Sequence, residues 1–402
     1  MKRINIHLIL SVIVVVGMFG ANPTHAAGCT SGTLIKGTTF PAVYYCGANG
    51  KRYVFPNEKT YNTWYSDFST VITISDADLG SISIGGNVTY KPGVRMVKVT
   101  TMPNAYAVAA GGTLRWVKSE ALASAYYGAN WNQMIDDVPD AFFTNYKFGA
   151  DIDDTSDYNP SGEQAAALSI NVDKGLVTAR AGQTFYPALK QEVVYFQGGG
   201  LTLTGHLCRP EGFGPFRAVI YNHGGLGTSL GGDPEGTCSA VADLGFVGFS
   251  PLRRTTMSLA GHIDDVYAAL TFMKNLEYVD DNRLGIIGFS RGGLLTLEAA
   301  TERTDFKAIV MMAPAPGGND EIDTYIQQVG KINAPVLLQV SSNDTVQANH
   351  VAIVNDIHSA LLAAGKEVTR FIYPPYGNDG HYMFFEIGDY WKDTAEFLTS
   401  NL

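Results

Sequence analysis

The sequence predicts an α/β protein: a mostly parallel sheet with helices on both faces, preceded by a small β-rich repeat domain. Three observations carry this. From Gln191 onward, apolar strand-like runs alternate with amphipathic helical stretches. Between residues 29 and 150, one Tyr-, Trp- and Gly-rich pattern occurs twice. And one apolar run, 284–289, leads straight into Ser290-Arg291-Gly292-Gly293, the signature of a tight turn into a helix.

The alternation fixes the first point. Runs 193–196 and 201–207 flank Gly198-Gly199-Gly200 and read as an antiparallel hairpin. Further strand-like runs lie at 218–221, 246–249, 284–289, 308–311, 336–340 and 368–373. Helical stretches occupy 262–276, 293–301, 350–364 and 390–399. Strands separated by helices run parallel, and their reacting groups gather in loops beyond the carboxyl ends. We assign this domain to residues 183–402.

The repeat supports the second point. Lys36, Pro41, Tyr44 and Gly50 recur as Lys98, Pro103, Tyr106 and Gly112 at a spacing of 62. After a one-residue slip, Arg52, Tyr53 and Phe68 recur as Arg115, Trp116 and Trp131 at 63. Each copy reads as a β-hairpin around a glycine turn and then a short helix, 58–65 or 120–127. Trp64, Trp116 and Trp131 read as fillers of small cores; exposed, they would stack on a cell-surface glycan instead. Residues 151–182 are polar and read as a linker, with a strand near 168–172.

Composition narrows the setting. The chain is 46% apolar and 16% charged, which suits a packed globular protein. A formal charge of −10 without clustered Lys and Arg excludes a nucleic-acid surface. Lys2 and Arg3 precede an apolar run, 8–19, that is short for a membrane span. Small residues around Ala26 and Ala27 then suit signal peptidase, so residues 1–27 read as a signal peptide of an exported, secreted or periplasmic protein with no transmembrane segment. Ala26-Ala27-Gly28-Cys29 also resembles a lipoprotein signal, but the polar stretch 22–25 separates it from the apolar run that a lipobox abuts. Cys29 with Cys46, and Cys208 with Cys238, form one of the three pairings that four cysteines allow, and the sequence does not choose among them. No cysteine or histidine has metal-site spacing, and no cofactor motif is present.

The chemistry rests on Gly288-Phe289-Ser290-Arg291-Gly292. This G-x-S-x-G follows a strand and opens a helix, which holds the serine exposed above a sheet. Gly227-Thr228-Ser229-Leu230-Gly231 matches the same pattern but follows no strand and runs on into Gly232-Asp233-Pro234, so Ser229 is rejected as a nucleophile. A serine hydroxyl needs a base, and the base an orienting acid. Asp344 lies just past the run 336–340, and His381 in the last loop before the final helix. Asp379 is a rival acid, while His350 and His358 fall in a helix and read as surface or packing residues. An oxyanion needs backbone donors. Arg291 should provide one, and Gly224 or Gly225 in Asn222-His223-Gly224-Gly225 the other, with His223 fixing the loop.

Together these residues resemble the dienelactone hydrolase-like and prolyl oligopeptidase-like branch of the α/β-hydrolases. The resemblance covers roughly residues 190–402 through N-H-G-G, R-L-G-I-I-G-F-S-R-G-G, S-N-D and G-H in that order. It implies an α/β-hydrolase fold and a catalytic set of Ser290, Asp344 and His381 acting on an ester, small or polymeric. Dienelactone hydrolases use a cysteine nucleophile where this chain has Ser290. Prolyl oligopeptidases carry a β-propeller that some 120 residues cannot build. Serine peptidase action and a surface binding protein with an inactive hydrolase fold are the alternatives. The N-terminal pattern resembles a tandem repeat of bacterial secreted and surface proteins, which implies an accessory module without a defined activity.

Overall fold

The computed structural model describes residues 29–402 apart from 179, 181 and 320. The expected signal peptide, residues 1–27, lies outside the described residues. The C-terminal part is an α/β-hydrolase fold. Its eight strands are β1 (Leu189–Gly198), β2 (Leu201–Arg209), β3 (Phe216–Asn222), β4 (Val247–Leu252), β5 (Val279–Phe289), β6 (Phe306–Met312), β7 (Val336–Ser341) and β8 (Val368–Tyr373). They lie in the order β1-β2-β4-β3-β5-β6-β7-β8. The hairpin β1–β2 and the pair β2–β4 are antiparallel, and the other pairs are parallel.

Burial explains why these runs form strands. β3, β6, β7 and the second half of β5, 284–289, are almost wholly buried, as expected of strands covered on both faces. The covering helices are α1 (Pro234–Asp243), α2 (His262–Lys274), α3 (Arg291–Glu302), α4 (His350–Ala363) and α5 (Trp391–Asn401). One core joins Val219, Ile220, Ile286, Ile287, Val310 and Leu338 from the sheet to Leu294, Leu297, Val354 and Leu398 from the helices. After β3 the chain leaves toward β4 on one side and returns to β5 on the other. The loops after β3 and β5 therefore part from neighbouring strand ends and leave a crevice between them.

The N-terminal region holds two five-stranded sheets of one plan. In the first, Leu34–Lys36, Val43–Cys46 and Arg52–Val54 form an antiparallel meander, to which Val71–Thr73 and Ile84–Asn87 add in parallel at the two edges. In the second, Met96–Val99, Tyr106–Ala109 and Thr113–Trp116 do the same, with Ile135–Val138 and Lys147–Phe148 at the edges. A helix follows each third strand, Glu58–Trp64 or Glu120–Tyr127, and the side chain of Asn57 or Ser119 caps it. Trp64, Trp116 and Trp131 are partly buried against these small cores.

Residues 151–182 differ from expectation. No strand forms near 168–172; Ser169 instead caps a helical turn, Ile170–Asp173, by accepting from the Val172 amide. Nor is the segment free of the folded units. Ile152, Tyr158 and Ile170 are buried in the N-terminal cores, and the Tyr158 hydroxyl donates to the Val108 carbonyl at 2.7 Å. Asn171 and Tyr45 both donate to the Glu211 carboxylate, at 2.9 and 2.7 Å, joining this region to the chain just after β2. Burial pushes the Glu211 carboxyl up. Its few apolar side chains are irregularly spaced, so periodicity does not reveal this packing.

Two disulfides are present, Cys29–Cys46 and Cys208–Cys238, and no described cysteine is free. The first takes the sulfur that a lipid would need, which removes the lipoprotein reading of Cys29. Among the described residues, no helix is long and apolar enough to cross a membrane.

Candidate active site

The crevice holds Ser290. β5 ends at Phe289 and α3 begins at Arg291, so Ser290 alone makes the turn, with φ 52° and ψ −114°. Positive φ is costly for a residue with a side chain and persists only where the surroundings over-determine it. Here they do. The Ser290 amide donates to the Met312 carbonyl at 2.9 Å, and its carbonyl accepts from Gly293, Leu294 and Ala315 at 2.9, 3.2 and 2.8 Å. The turn also needs its glycines. A Cβ at Gly292 would collide with the Asn222 carbonyl, and one at Gly288 with the Gly292 carbonyl.

Two further loops complete the site. The Ser290 hydroxyl lies 3.0 Å from His381 Nε2. His381 Nδ1 lies 2.9 and 3.1 Å from the carboxylate oxygens of Asp344. Both partners are buried, Asp344 completely. The loops carrying them are tied together. The Asn343 carboxamide oxygen accepts from Ser341 Oγ and the Tyr376 amide, both at 2.9 Å, and the Gly380 amide donates to the Asn343 carbonyl at 3.2 Å. Asp379 accepts from Thr345 Oγ1 at 2.7 Å and from the His381 amide at 2.9 Å. It thus holds the backbone of His381 and not its ring, so the rival acid is a loop tie. Asn343 and Asp379 stand beside Asp344 and His381 in sequence, the one signal that marks them.

The loop after β3 faces Ser290: a Cβ built on Gly224 would stand 3.0 Å from Ser290 Cβ. The expected pair of glycine donors separates here. The Gly224 amide donates to the Gly231 carbonyl at 2.7 Å, so it is spent within the loop and is removed as an oxyanion donor. The Gly225 amide has no backbone partner among the described residues. Arg291 opens α3, where the first amides have no partner within the helix. His223 stays inside the loop, its Nδ1 2.6 Å from the Gly224 carbonyl and its Nε2 accepting from the Arg253 amide at 3.2 Å. Burial lowers its ring to about 3, so it is neutral at pH 7.

Above Ser290 opens a cleft of about 350 Å³, lined by Leu226, Leu230, Val346, Tyr382 and Phe385 among others. Ser229 lines it too, but its hydroxyl meets no histidine among the described residues. Among the described residues, only the short helix Ile322–Ile326 and one further turn lie between β6 and β7. His350 is buried against the site, its ring centroid 4.6 Å from that of His381. His358 lies half-buried on α4. Ligand-type atoms of Asp344, His350 and His381 fall within 4.8 Å of one another, but each ring nitrogen already faces a partner.

Parts of this chain are similar to known proteins. The dienelactone hydrolase family model matches residues 249–381, a stretch that contains Ser290, Asp344 and His381. A Bacillus subtilis protein named uncharacterized peptidase YtmA is 27% identical over 194 residues, covering 38% of this chain and 74% of its own. Among solved structures, the hyperthermophilic esterase of Pyrobaculum calidifontis aligns with a TM-score of 0.43 at 18% identity, over 53% of this chain and 85% of its own. The acylaminoacyl peptidase of Pyrococcus horikoshii aligns with a TM-score of 0.44 at 19% identity, over 55% of this chain and 42% of its own.

Proposed function

We propose that the protein is a secreted serine hydrolase that cleaves carboxylic esters through an acyl-enzyme on Ser290. The observation that carries the reading is the unbroken line from Ser290 Oγ to His381 Nε2 and from His381 Nδ1 to the buried Asp344 carboxylate. Along it, His381 takes the serine proton as Oγ attacks the ester carbonyl carbon, and Asp344 steadies the imidazolium without itself being protonated. The charge that develops on the former carbonyl oxygen is met by the amides of Arg291 and Gly225. As the tetrahedral adduct collapses, His381 passes its proton to the departing oxygen. Water then repeats the sequence on the acyl-enzyme and frees Ser290.

Esters are favoured because little chain lies over the cleft, whose lining sets Leu226, Leu230, Val346 and Phe385 beside Arg291, Gln347 and His381. A short or medium acyl group fits such a site. The two disulfides suit an oxidising compartment, and so an exported enzyme. The peptidase name of the Bacillus relative supports a second reading, cleavage of peptide bonds at the same serine. A fluorophosphonate probe should label the wild-type chain at Ser290. A panel of p-nitrophenyl esters and peptide p-nitroanilides then divides the readings. Turnover of esters alone supports the first, faster turnover of anilides supports the second, and an unlabelled, inactive chain refutes both.

A further inference from the structure

We propose that His350 is a positioning residue held as an imidazolium against Asp344, and that its charge makes His381 hand its proton more readily to the leaving group. The proposal rests on the serine-hydrolase reading above. Its starting point is the pair of acceptors around the His350 ring. Nδ1 lies 3.0 Å from the Pro314 carbonyl oxygen and Nε2 lies 2.8 Å from that of Val346. A carbonyl oxygen accepts and cannot donate, so each contact is a hydrogen bond only if its nitrogen carries a proton. An imidazole protonated on both nitrogens is a cation. The same two protons leave no lone pair for a metal ion in the cluster with Asp344 and His381.

The placement gives that charge a role. Pro314 lies in the loop after β6, and Val346 in the loop that carries Asp344, so the ring staples the two loops. His350 is 1% exposed, and its Nε2 stands 3.7 Å from Asp344 Oδ1. Its amide also donates to the Asp344 carbonyl at 3.3 Å. The ionisable groups facing the ring among the described residues are Asp344 on one side and His381 on the other.

During the reaction the proton on Ser290 Oγ moves to His381 Nε2, and two cationic rings then share one carboxylate. Their repulsion, in a site screened from water, drives the proton off His381 and onto the departing oxygen. The benefit depends on the leaving group. An alkoxide must be protonated to depart, whereas p-nitrophenolate leaves as a stable anion.

The test compares wild type with His350→Gln on p-nitrophenyl acetate and ethyl acetate, which share an acyl group. Gln keeps a donor for one carbonyl and removes the charge. Loss of kcat/KM by about threefold on the aryl ester and about thirtyfold on the alkyl ester is expected. Equal losses on the two esters would mean that His350 only supports the loop, and would overturn the proposal. A second measurement needs no variant. In ¹⁵N-histidine-labelled wild type at pH 7, both ring nitrogens of His350 should show the chemical shifts of a protonated imidazolium. A neutral tautomer there overturns the proposal as well. Wild type inactive on both esters would instead remove the underlying hydrolase reading.

Discussion

Two segments of this chain carry the same five-residue pattern, and they do opposite things with it. Gly288 to Gly292 spans the end of a buried strand and the start of a helix, and its serine is forced to a positive φ with four backbone hydrogen bonds around it. Gly227 to Gly231 lies in a loop, where Gly231 pairs with Gly224 and the Ser229 amide merely closes a turn onto the Leu226 carbonyl at 3.1 Å. Both serines border one cleft. Only Ser290 meets a histidine among the described residues. The pattern therefore states which residues can form a tight turn, and the flanking strand and helix decide whether that turn presents a nucleophile.

The comparison breaks most easily at the two groups proposed to react. Ser290→Ala and His381→Ala should each lower kcat on a p-nitrophenyl ester by several orders of magnitude, up to about 10⁶-fold. Circular dichroism should show both variants folded. Turnover by Ser290→Ala near that of wild type, or lost only in Ser229→Ala, would reverse the assignment of the two segments. Asp344→Asn should cost less, about 10⁴-fold, because it misorients His381 and leaves the attacking atom in place.

Stability sharpens the contrast. Gly292→Ala drives a Cβ into the Asn222 carbonyl, which is backbone and cannot yield cheaply, whereas a Cβ at Gly231 comes only to 3.2 Å of its nearest atoms. Gly292→Ala should lose about 1–3 kcal/mol in urea unfolding and Gly231→Ala distinctly less. Equal losses would mean that the strand-to-helix turn is no tighter than the loop.

The loop beside Ser229 has its own pH signature. His223 is held neutral with its ring lowered to about 3, while the unfolded chain protonates near the usual 6.5. Its contribution is present above about pH 6.5 and is lost as pH falls toward 3. The fall in melting temperature over that window should be shallower in His223→Asn than in wild type. An identical slope would show that the ring is not buried neutral. The smallest effect is expected of Ser229→Ala, within about threefold of wild-type kcat/KM, acting through loop shape alone.

How much of this was legible beforehand depends on range. The eight strands of the sheet stand where apolar runs of the right length are bounded by polar turns, and α2, α3, α4 and α5 follow helical periodicity. Ser290, Asp344 and His381 were readable as candidates because each closely follows a strand, and strand ends are local features. Residues 168–172 misled, because five residues with apolar side chains at alternate positions suit a strand as well as a capped helical turn, and the Ser169 cap tips the balance.

The sequence by itself determined the class of sheet, and it pointed to Ser290, Asp344 and His381 in that chain order and away from Ser229, since periodicity, turn glycines and chain order act over a few residues. Tertiary structure alone decided which cysteines pair, that the Gly224 amide is spent on Gly231 while Gly225 lines the cleft, and that His350, the first residue of α4, lies against Asp344. Each of these turns on a distance of a few ångströms: within the N-terminal sheet for Cys29 and Cys46, between β2 and α1 for Cys208 and Cys238, within the loop after β3 for Gly224, and between the loops after β6 and β7 for His350. Hydrogen bonds and disulfides have short reach and strict direction, so their partners are fixed only once the sheet register and the loops are in place.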